Sequence, residues 1–290
     1  MTTKIPMVTL NNGVEMPQEG FGVFQISDLA TCKQAVKDAL EVGYRSIDTA
    51  QAYYNEEAVG EAIKESSVAR EDIFLTTKVW IDDYGYEKTK KSIEVSLQKL
   101  QTDYIDLVLL HQPFSDYYGA YHALEDLYEE KKIRAIGVSN WSATKLVDLA
   151  EFNRIAPAID QLETNVFCQQ QAIKPYLDQY KTQIEAWGPL AQGANNIFEN
   201  SVLTEIGKNH DKTAAQVALR YLTQNGVVII PKSTHKKRMQ QNLDIWDFTL
   251  NDAELEQIQQ LDTGHSLTLD HDAPETVKFF ANYSKNNAPK

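Results

Sequence analysis

The stretch "IDLVLLH" (105–111) packs five aliphatic side chains into seven positions, interrupted only by Asp106 and ended by His111. A strand with one wet face alternates apolar and polar residues. One with almost no alternation is buried on both faces, as in a parallel sheet covered by helices. The same texture recurs in "EGFGVFQ" (19–25), "YRSID" (44–48), "DIFLTTK" (72–78), "IRAIGVSN" (133–140), "PAIDQ" (157–161), "TQIEAWG" (182–188) and "GVVIIPKS" (226–233). That makes eight candidate strands, each followed by polar punctuation.

Helical patterns lie between them. Residues 87–100 set Ile93, Val95, Leu97 and Leu100 opposite a row of lysines, and 214–226 close on Asn225-Gly226, a helix stop. Near the end, Asn251 and Glu254 have capping-box spacing. Strands alternating with helices predict a parallel α/β sheet, either closed as a barrel or open and doubly wound. The open form should carry G-x-G-x-x-G after its first strand. The nearest match, Gly20 to Gln25, fails at its last position. The expectation is therefore a (β/α)8 TIM barrel filling one domain, residues 1–290. The Asn12-Gly13 pair in "VTLNNGVEMP" (8–17) predicts a two-residue hairpin set apart from the repeat, an N-terminal β-hairpin lid over one end.

A chain of 290 residues that is 42% hydrophobic can bury a large core. Its net charge of −13 argues against nucleic-acid or anionic-membrane partners, so any anionic ligand must meet a local basic cluster. Two cysteines, Cys32 and Cys168, lack metal-ligand spacing and read as buried thiols of a reducing compartment. No apolar window approaches the ~20 residues of a membrane span. A soluble cytoplasmic protein is expected; no long unsatisfied apolar surface is evident, which is compatible with a monomer, but the sequence does not fix the oligomeric state.

In such barrels the working groups stand at the C-terminal ends of the strands. Those ends read Phe24, Asp48, Lys78 with Trp80, His111, Ser139 with Asn140, Gln161, Trp187, and Lys232-Ser233-Thr234. Singly, each has an ordinary explanation as a turn, cap or rim residue. Together on one face they do not. Asp48, Tyr53, Lys78 and His111 form a chemical set. A free phenol has a pKa of about 10, and a neighbouring ammonium lowers it. A buried lysine needs a carboxylate such as Asp48, and a histidine can orient a carbonyl oxygen. Either Tyr53 or Tyr54 could be that phenol. Opposite them, Ser139, Asn140 and Gln161 suit a carboxamide and Trp187 offers a flat face. "PKSTHKKR" (231–238) sets Lys232 and Arg238 at a helix start, where backbone N–H groups also favour anions.

On these residues the chain resembles the aldo-keto reductase family over essentially its whole length. "GYRSIDTAQAYYNEEAVGEAI" (43–63), "YIDLVLLHQP" (104–113) and "IPKSTHKKRMQQN" (230–242) look like family signatures, and "EAWGPLAQG" (185–193) is most similar to short bacterial members related to diketogluconate reductases. The resemblance implies NADPH-dependent reduction of an aldehyde or ketone, a small-molecule carbonyl substrate, and no metal. It selects Tyr53 over Tyr54 and makes Asp48, Tyr53, Lys78 and His111 the catalytic set. It implies cofactor contacts from Gly22, Val23, Asp48, Ser139, Asn140 and Gln161, with Trp187 stacked on the nicotinamide. Gly188, Pro189, Leu190, Gln192 and Gly193 would wrap the pyrophosphate. Lys232, Ser233, Thr234 and Arg238 would take the 2′-phosphate, with Gln241 and Asn242 on the adenine. Phe24, Tyr53, Trp80 and His111 would meet the substrate, under a C-terminal tail beginning near residue 262. Val23-Phe24 replace a usual Thr-Trp, which alters the pocket wall.

Three other readings compete. Tyr-x-x-x-Lys pairs of the short-chain dehydrogenase type occur at Tyr86/Lys90 and Tyr128/Lys132, but on polar helical stretches. Lys78 could act as a Schiff-base nucleophile. A catalytically silent NADPH-binding sensor on the same fold is the remaining alternative.

Overall fold

The computed structural model describes residues 5–287, with side chains through residue 283. Two short strands come first, β1 (Met7–Thr9) and β2 (Glu15–Pro17), paired antiparallel. Eight parallel strands follow: β3 (Phe21–Gly22), β4 (Ser46–Asp48), β5 (Phe74–Val79), β6 (Ile105–Leu110), β7 (Ile133–Ser139), β8 (Ile159–Glu163), β9 (Gln183–Trp187) and β10 (Val228–Ile229). They lie side by side in sequence order. The seam between first and last is bridged by Glu19 and Ile229, and Gly20 N donates to Ile229 O at 2.8 Å. The expected (β/α)8 barrel is what forms, and all eight expected strands are in it.

Helices alternate with the strands: α1 (Leu29–Val42), α2 (Glu56–Glu65), α3 (Tyr86–Leu100), α4 (Tyr117–Glu129), α5 (Ala143–Phe152), α6 (Lys174–Tyr180), α7 (Ser201–His210), α8 (Ala214–Gln224) and α9 (Lys236–Leu243). Two more close the chain, α10 (Asp252–Gln259) and α11 (Pro274–Asn287). The Asn251–Glu254 capping box is present, with reciprocal 3.0 Å bonds, and Asn225-Gly226 ends α8 as its sequence predicts. Helix α7 was not anticipated. It is announced only by Asn200, whose side chain accepts from Val202 N and Leu203 N.

Outward-facing strand residues such as Ile47, Val79, Val108, Leu110 and Val138 pack against the helices in the main core. The hairpin plugs the N-terminal end of the barrel, where Leu10 and Met16 meet Phe74, Leu107, Leu109, Ile159 and Val228. Its turn differs from expectation. Gly13 N donates to Leu10 O and Leu10 N to Val14 O, which makes a three-residue loop, Asn11 to Gly13, with Gly13 at φ +83°. The reason is that Asn11 and Asn12 are both used as anchors. Asn11 Nδ2 donates to Pro157 O at 3.0 Å and Asn12 Nδ2 to Arg134 O at 2.9 Å, tying the loop to the barrel. Both cysteines are free, buried thiols, pushed up to about 11 (Cys32) and about 12 (Cys168), by burial in each case. Among the described residues no helix is long and apolar enough to cross a membrane.

Candidate active site

At the C-terminal end of the barrel, β4 turns Asp48 and β5 turns Lys78 into the lumen. Lys78 is wholly buried. Its Nζ donates to Asp48 Oδ1 at 2.6 Å and to Thr49 O at 3.0 Å, and stands 3.4 Å from the Tyr53 hydroxyl. A single 3₁₀ turn, Gln51–Tyr53, brings the phenol back over the lysine. Tyr54 follows in a left-handed conformation (φ 55°) and is 68% exposed, turned away from the lumen. The His111 ring meets Tyr53 edge-on at 5.6 Å and Trp80 at 5.2 Å. Asp48, Tyr53, Lys78 and His111 therefore converge on one spot.

Burial and charge pull against each other here. Burial pushes the Tyr53 phenol above its ordinary pKa. Lys78 acts to lower it, and Asp48 acts to raise it again. The expected net lowering of the phenol is therefore not found: burial outweighs the pull of Lys78, and Asp48 opposes that pull. Burial also works to depress Lys78, but Asp48 and then Tyr53 outweigh it, and the ammonium is held above its usual range. His111 is driven well below the usual imidazole range by burial and by Lys78, so it is neutral at pH 7 and keeps one N–H.

Across the lumen, Gln161 Nε2 donates to both Asp48 Oδ2 (2.9 Å) and Glu185 Oε2 (2.7 Å). Ser139 Oγ donates to Gln161 O at 2.8 Å, and Trp187 Nε1 to Asn140 Oδ1 at 2.9 Å. These groups hold one another rigidly, with acceptor capacity left on Gln161 and Asn140 for a carboxamide's N–H groups. Gly188 (φ +61°) and Gly193 (φ +83°) lie in the loop after β9, in conformations open to glycine and strained for most residues. Pro189 and Leu190 sit between them, and Gln192 is exposed. Lys232, Thr234, Arg238 and Gln241 are exposed, Ser233 and Asn242 buried. Neither Lys232 nor Arg238 makes an ion pair among the described residues, and no side chain caps α9. Two uncommitted cations beside free helix N–H groups suit a phosphate in an otherwise acidic chain. Gly22 N donates to Pro231 O (3.4 Å). Val23 is wholly buried in the core, its N–H donating to Asp48 O (3.1 Å) and its carbonyl accepting from Asn55 Nδ2 (3.1 Å).

The pocket wall holds more than was anticipated. Phe24 packs on Tyr53 at 5.0 Å between ring centres. From the tail, Phe280 meets Trp80 and Phe114, both at 5.8 Å, and Tyr283 meets Trp80 at 6.2 Å. The tail is latched by Glu163 at the end of β8, whose carboxylate accepts from Leu267 N (3.0 Å) and Thr268 Oγ1 (2.7 Å), and by Lys145, which pairs with Asp272 at 3.1 Å. Sequence reading missed Phe114, Phe280, Tyr283 and Glu185. The aromatics lie on loops or on α11, without strand-end position to mark them, while Glu185 stood two residues before Trp187 on the same lumen face of β9. The rival Tyr86/Lys90 pair is spent on α4: Tyr86 donates to Asp126 and Lys90 to Glu130, each at 2.7 Å.

A barrel whose strand ends converge in this way defines an α/β enzyme of the TIM-barrel class. More specifically, the chain belongs to the Aldo/keto reductase family, whose sequence model matches residues 20–263. It is 47% identical to glyoxal reductase of Bacillus subtilis over 88% of this chain and 92% of that protein. An aldo-keto reductase from a Medee basin deep-sea metagenome library superposes with a TM-score of 0.89 at 43% identity, covering 92% of this chain and 98% of that one. The Bombyx mori aldo-keto reductase in complex with NADP superposes at 0.86 with 32% identity, covering 92% and 96%.

Proposed function

We propose that the protein reduces small aldehydes and ketones to alcohols with Tyr53 as the proton donor, within the NADP-dependent oxidoreductase activity on carbonyl groups that its family membership carries. The observation that carries this reading is the 3.4 Å approach of the buried, Asp48-paired Lys78 ammonium to the Tyr53 phenol. When bound, the reduced nicotinamide supplies a hydride to the carbonyl carbon. The chain's own groups handle the oxygen. The neutral His111 donates its N–H and fixes the carbonyl's direction. Tyr53 releases its proton to the oxygen as negative charge develops there, and Lys78 stabilises the phenolate left behind. A phenol whose pKa burial has raised still serves, because the alkoxide it protonates is far more basic than a phenolate. Asp48 holds Lys78 in place and in its charged form.

For the cofactor, Ser139, Asn140 and Gln161 would hold the carboxamide and Trp187 the ring. The loop from Gly188 to Gly193 would hold the pyrophosphate, and Lys232, Ser233, Thr234 and Arg238 the 2′-phosphate. Phe24, Trp80 and His111, joined by Phe114, Phe280 and Tyr283, would enclose the substrate's substituent within the single 1–290 domain. The silent-sensor alternative differs in one measurable way. NADPH oxidation is followed at 340 nm against glyoxal, short aldehydes, ketones and ketoacids. Turnover with any of them excludes the sensor, and tight NADPH binding without turnover overturns the reductase reading.

A further inference from the structure

One buried acid of the lumen has no part in that mechanism. Glu185 on β9 is wholly buried, its Oε2 on Gln161 Nε2 at 2.7 Å and its Oε1 without a partner. The same amide nitrogen serves Asp48 Oδ2 at 2.9 Å, and Asp48 Oδ1 holds Lys78 at 2.6 Å. A string of hydrogen bonds thus crosses the barrel from β9 through β8 to β4 and β5, ending under the Tyr53 hydroxyl. An amide satisfies two carboxyl oxygens at once only with its NH₂ end. Asp48 and Glu185 together fix that end between them, and Gln161 in turn helps to set the orientation of Asp48.

We propose that Glu185 is a positioning residue of the proton-donor site: acting through the Gln161 amide, it holds Asp48 in the orientation that keeps Lys78 against Tyr53. The proposal rests on the reading of Tyr53, Lys78 and Asp48 given above. Without the Glu185 carboxyl, the Gln161 amide is anchored at Asp48 alone, and as it shifts it draws the Asp48 carboxylate off its line to Lys78. The ionisable groups facing Glu185 are Asp48, Lys78 and, beyond them, Tyr53. Burial, and then the Asp48 charge, keep Glu185 protonated up to a pH of about 8. Once ionised, it adds a second negative charge beside Asp48, and Tyr53 holds its proton harder.

Wild type, Glu185→Leu and Glu185→Gln are compared in NADPH-dependent reduction of one small aldehyde from pH 6 to 9. The NADPH dissociation constant and the pH dependence of the unliganded protein's Tm are measured alongside. Glu185→Leu is expected to lower kcat roughly tenfold, the rate equivalent of one displaced charge-assisted hydrogen bond, with the aldehyde KM little changed and a smaller loss of NADPH affinity, since Gln161 also faces the carboxamide. Glu185→Gln, which still offers Gln161 an acceptor, should restore kcat at pH 7. It should lack the fall in kcat that is expected of wild type through pH 8, and its Tm should decline less from pH 5 to 8.5. A folded Glu185→Leu variant with wild-type kcat and pH profile would make Glu185 merely structural and overturn the proposal. If that variant does not fold, Glu185→Gln decides alone: a fall through pH 8 like that of wild type overturns it. A wild type that reduces no carbonyl sinks the reductase reading and this proposal with it, whereas an active wild type with indifferent variants sinks the proposal alone.

Discussion

The two ends of the barrel are built from opposite materials. At the N-terminal end the lumen is filled by Leu10, Met16, Phe74, Leu107, Leu109, Ile159 and Val228, with the hairpin as stopper. At the C-terminal end the same sheet buries Asp48, Lys78, Gln161 and Glu185 within a few ångströms of one another. Apolar burial stabilises a fold by about 25 cal/mol per Å², whereas buried ion pairs often break even against the hydrophobic residues they displace. The stoppered end thus stabilises the scaffold, and the charged end holds the geometry on which the proposed chemistry depends. Substitutions at the two ends should separate rate from stability.

The largest effect belongs to the reactive end. Tyr53→Phe removes one hydroxyl and leaves the ring, so packing against Phe24 and His111 survives. General-acid catalysis contributes roughly 10²–10⁴-fold, and kcat should fall by at least that while Tm and NADPH affinity stay near wild type. Tyr54→Phe, on an exposed side chain, should keep most activity. An inactive Tyr54 variant beside an active Tyr53 variant would invert the assignment.

Leu107→Ala tests the stoppered end. Its side chain is wholly buried among the hairpin contacts, and such truncations cost about 2–5 kcal/mol. Denaturant unfolding should show that loss, while kcat measured well below the transition stays within about twofold. A kcat loss matching the stability loss would mean that the two ends are mechanically coupled.

The two ends were not equally legible in the sequence. The eight strands and the closed barrel could be read because burial on both faces leaves a continuous apolar run. The residues of the reactive end could be read because strand ends are a fixed address. Asp48, Lys78 and His111 each follow such a run directly. What could not be read was pairing. Nothing in "QLETN" or "IEAWG" says that Gln161 bridges Asp48 and Glu185, since the first two lie 113 residues apart and meet only across the lumen. Nor could Phe280 be placed on Trp80, because α11 carries no strand-end position and its docking is set by latches at Glu163 and Lys145. The two-residue turn was misread for a related reason: Asn11 and Asn12 are recruited by the distant carbonyls of Pro157, just before β8, and Arg134 on β7, and local turn preference yields to those bonds.

A third substitution sharpens the contrast within the reactive end, between its buried charges and the exposed ones on its rim. Lys232, just before α9, and Arg238, in its first turn, stand in solvent without ion-pair partners among the described residues. Charge-assisted hydrogen bonds contribute about 1.5–3 kcal/mol, so Arg238→Ala should weaken NADPH binding by roughly 10- to 150-fold and scarcely alter NADH binding. Quenching of tryptophan fluorescence gives both dissociation constants. Equal losses for the two cofactors would make Arg238 structural.

The smallest effect should come from a buried acid outside the reactive end. Glu19, at the seam where β3 meets β10, is wholly buried. It accepts from Trp246 Nε1 at 3.0 Å and from the Tyr44 hydroxyl at 3.3 Å. Burial pushes it up to about 8, against the pull of those two bonds. The folded state therefore binds this proton more tightly than the unfolded chain does. Its stabilising contribution is complete below the ordinary carboxylate range of about 4.5 and is lost as pH rises through about 8. Glu19→Gln removes that titration and keeps the shape. Its Tm should match wild type near pH 5 and exceed it by a few degrees at pH 8.5, with the pH profile of kcat unchanged. Glu185→Gln, on the reactive side of the same barrel, should flatten both the stability and the rate profile. If Glu19→Gln also changed the rate profile, burial alone would account for the pH behaviour of both acids, and the position of Glu185 under Asp48 would lose its significance.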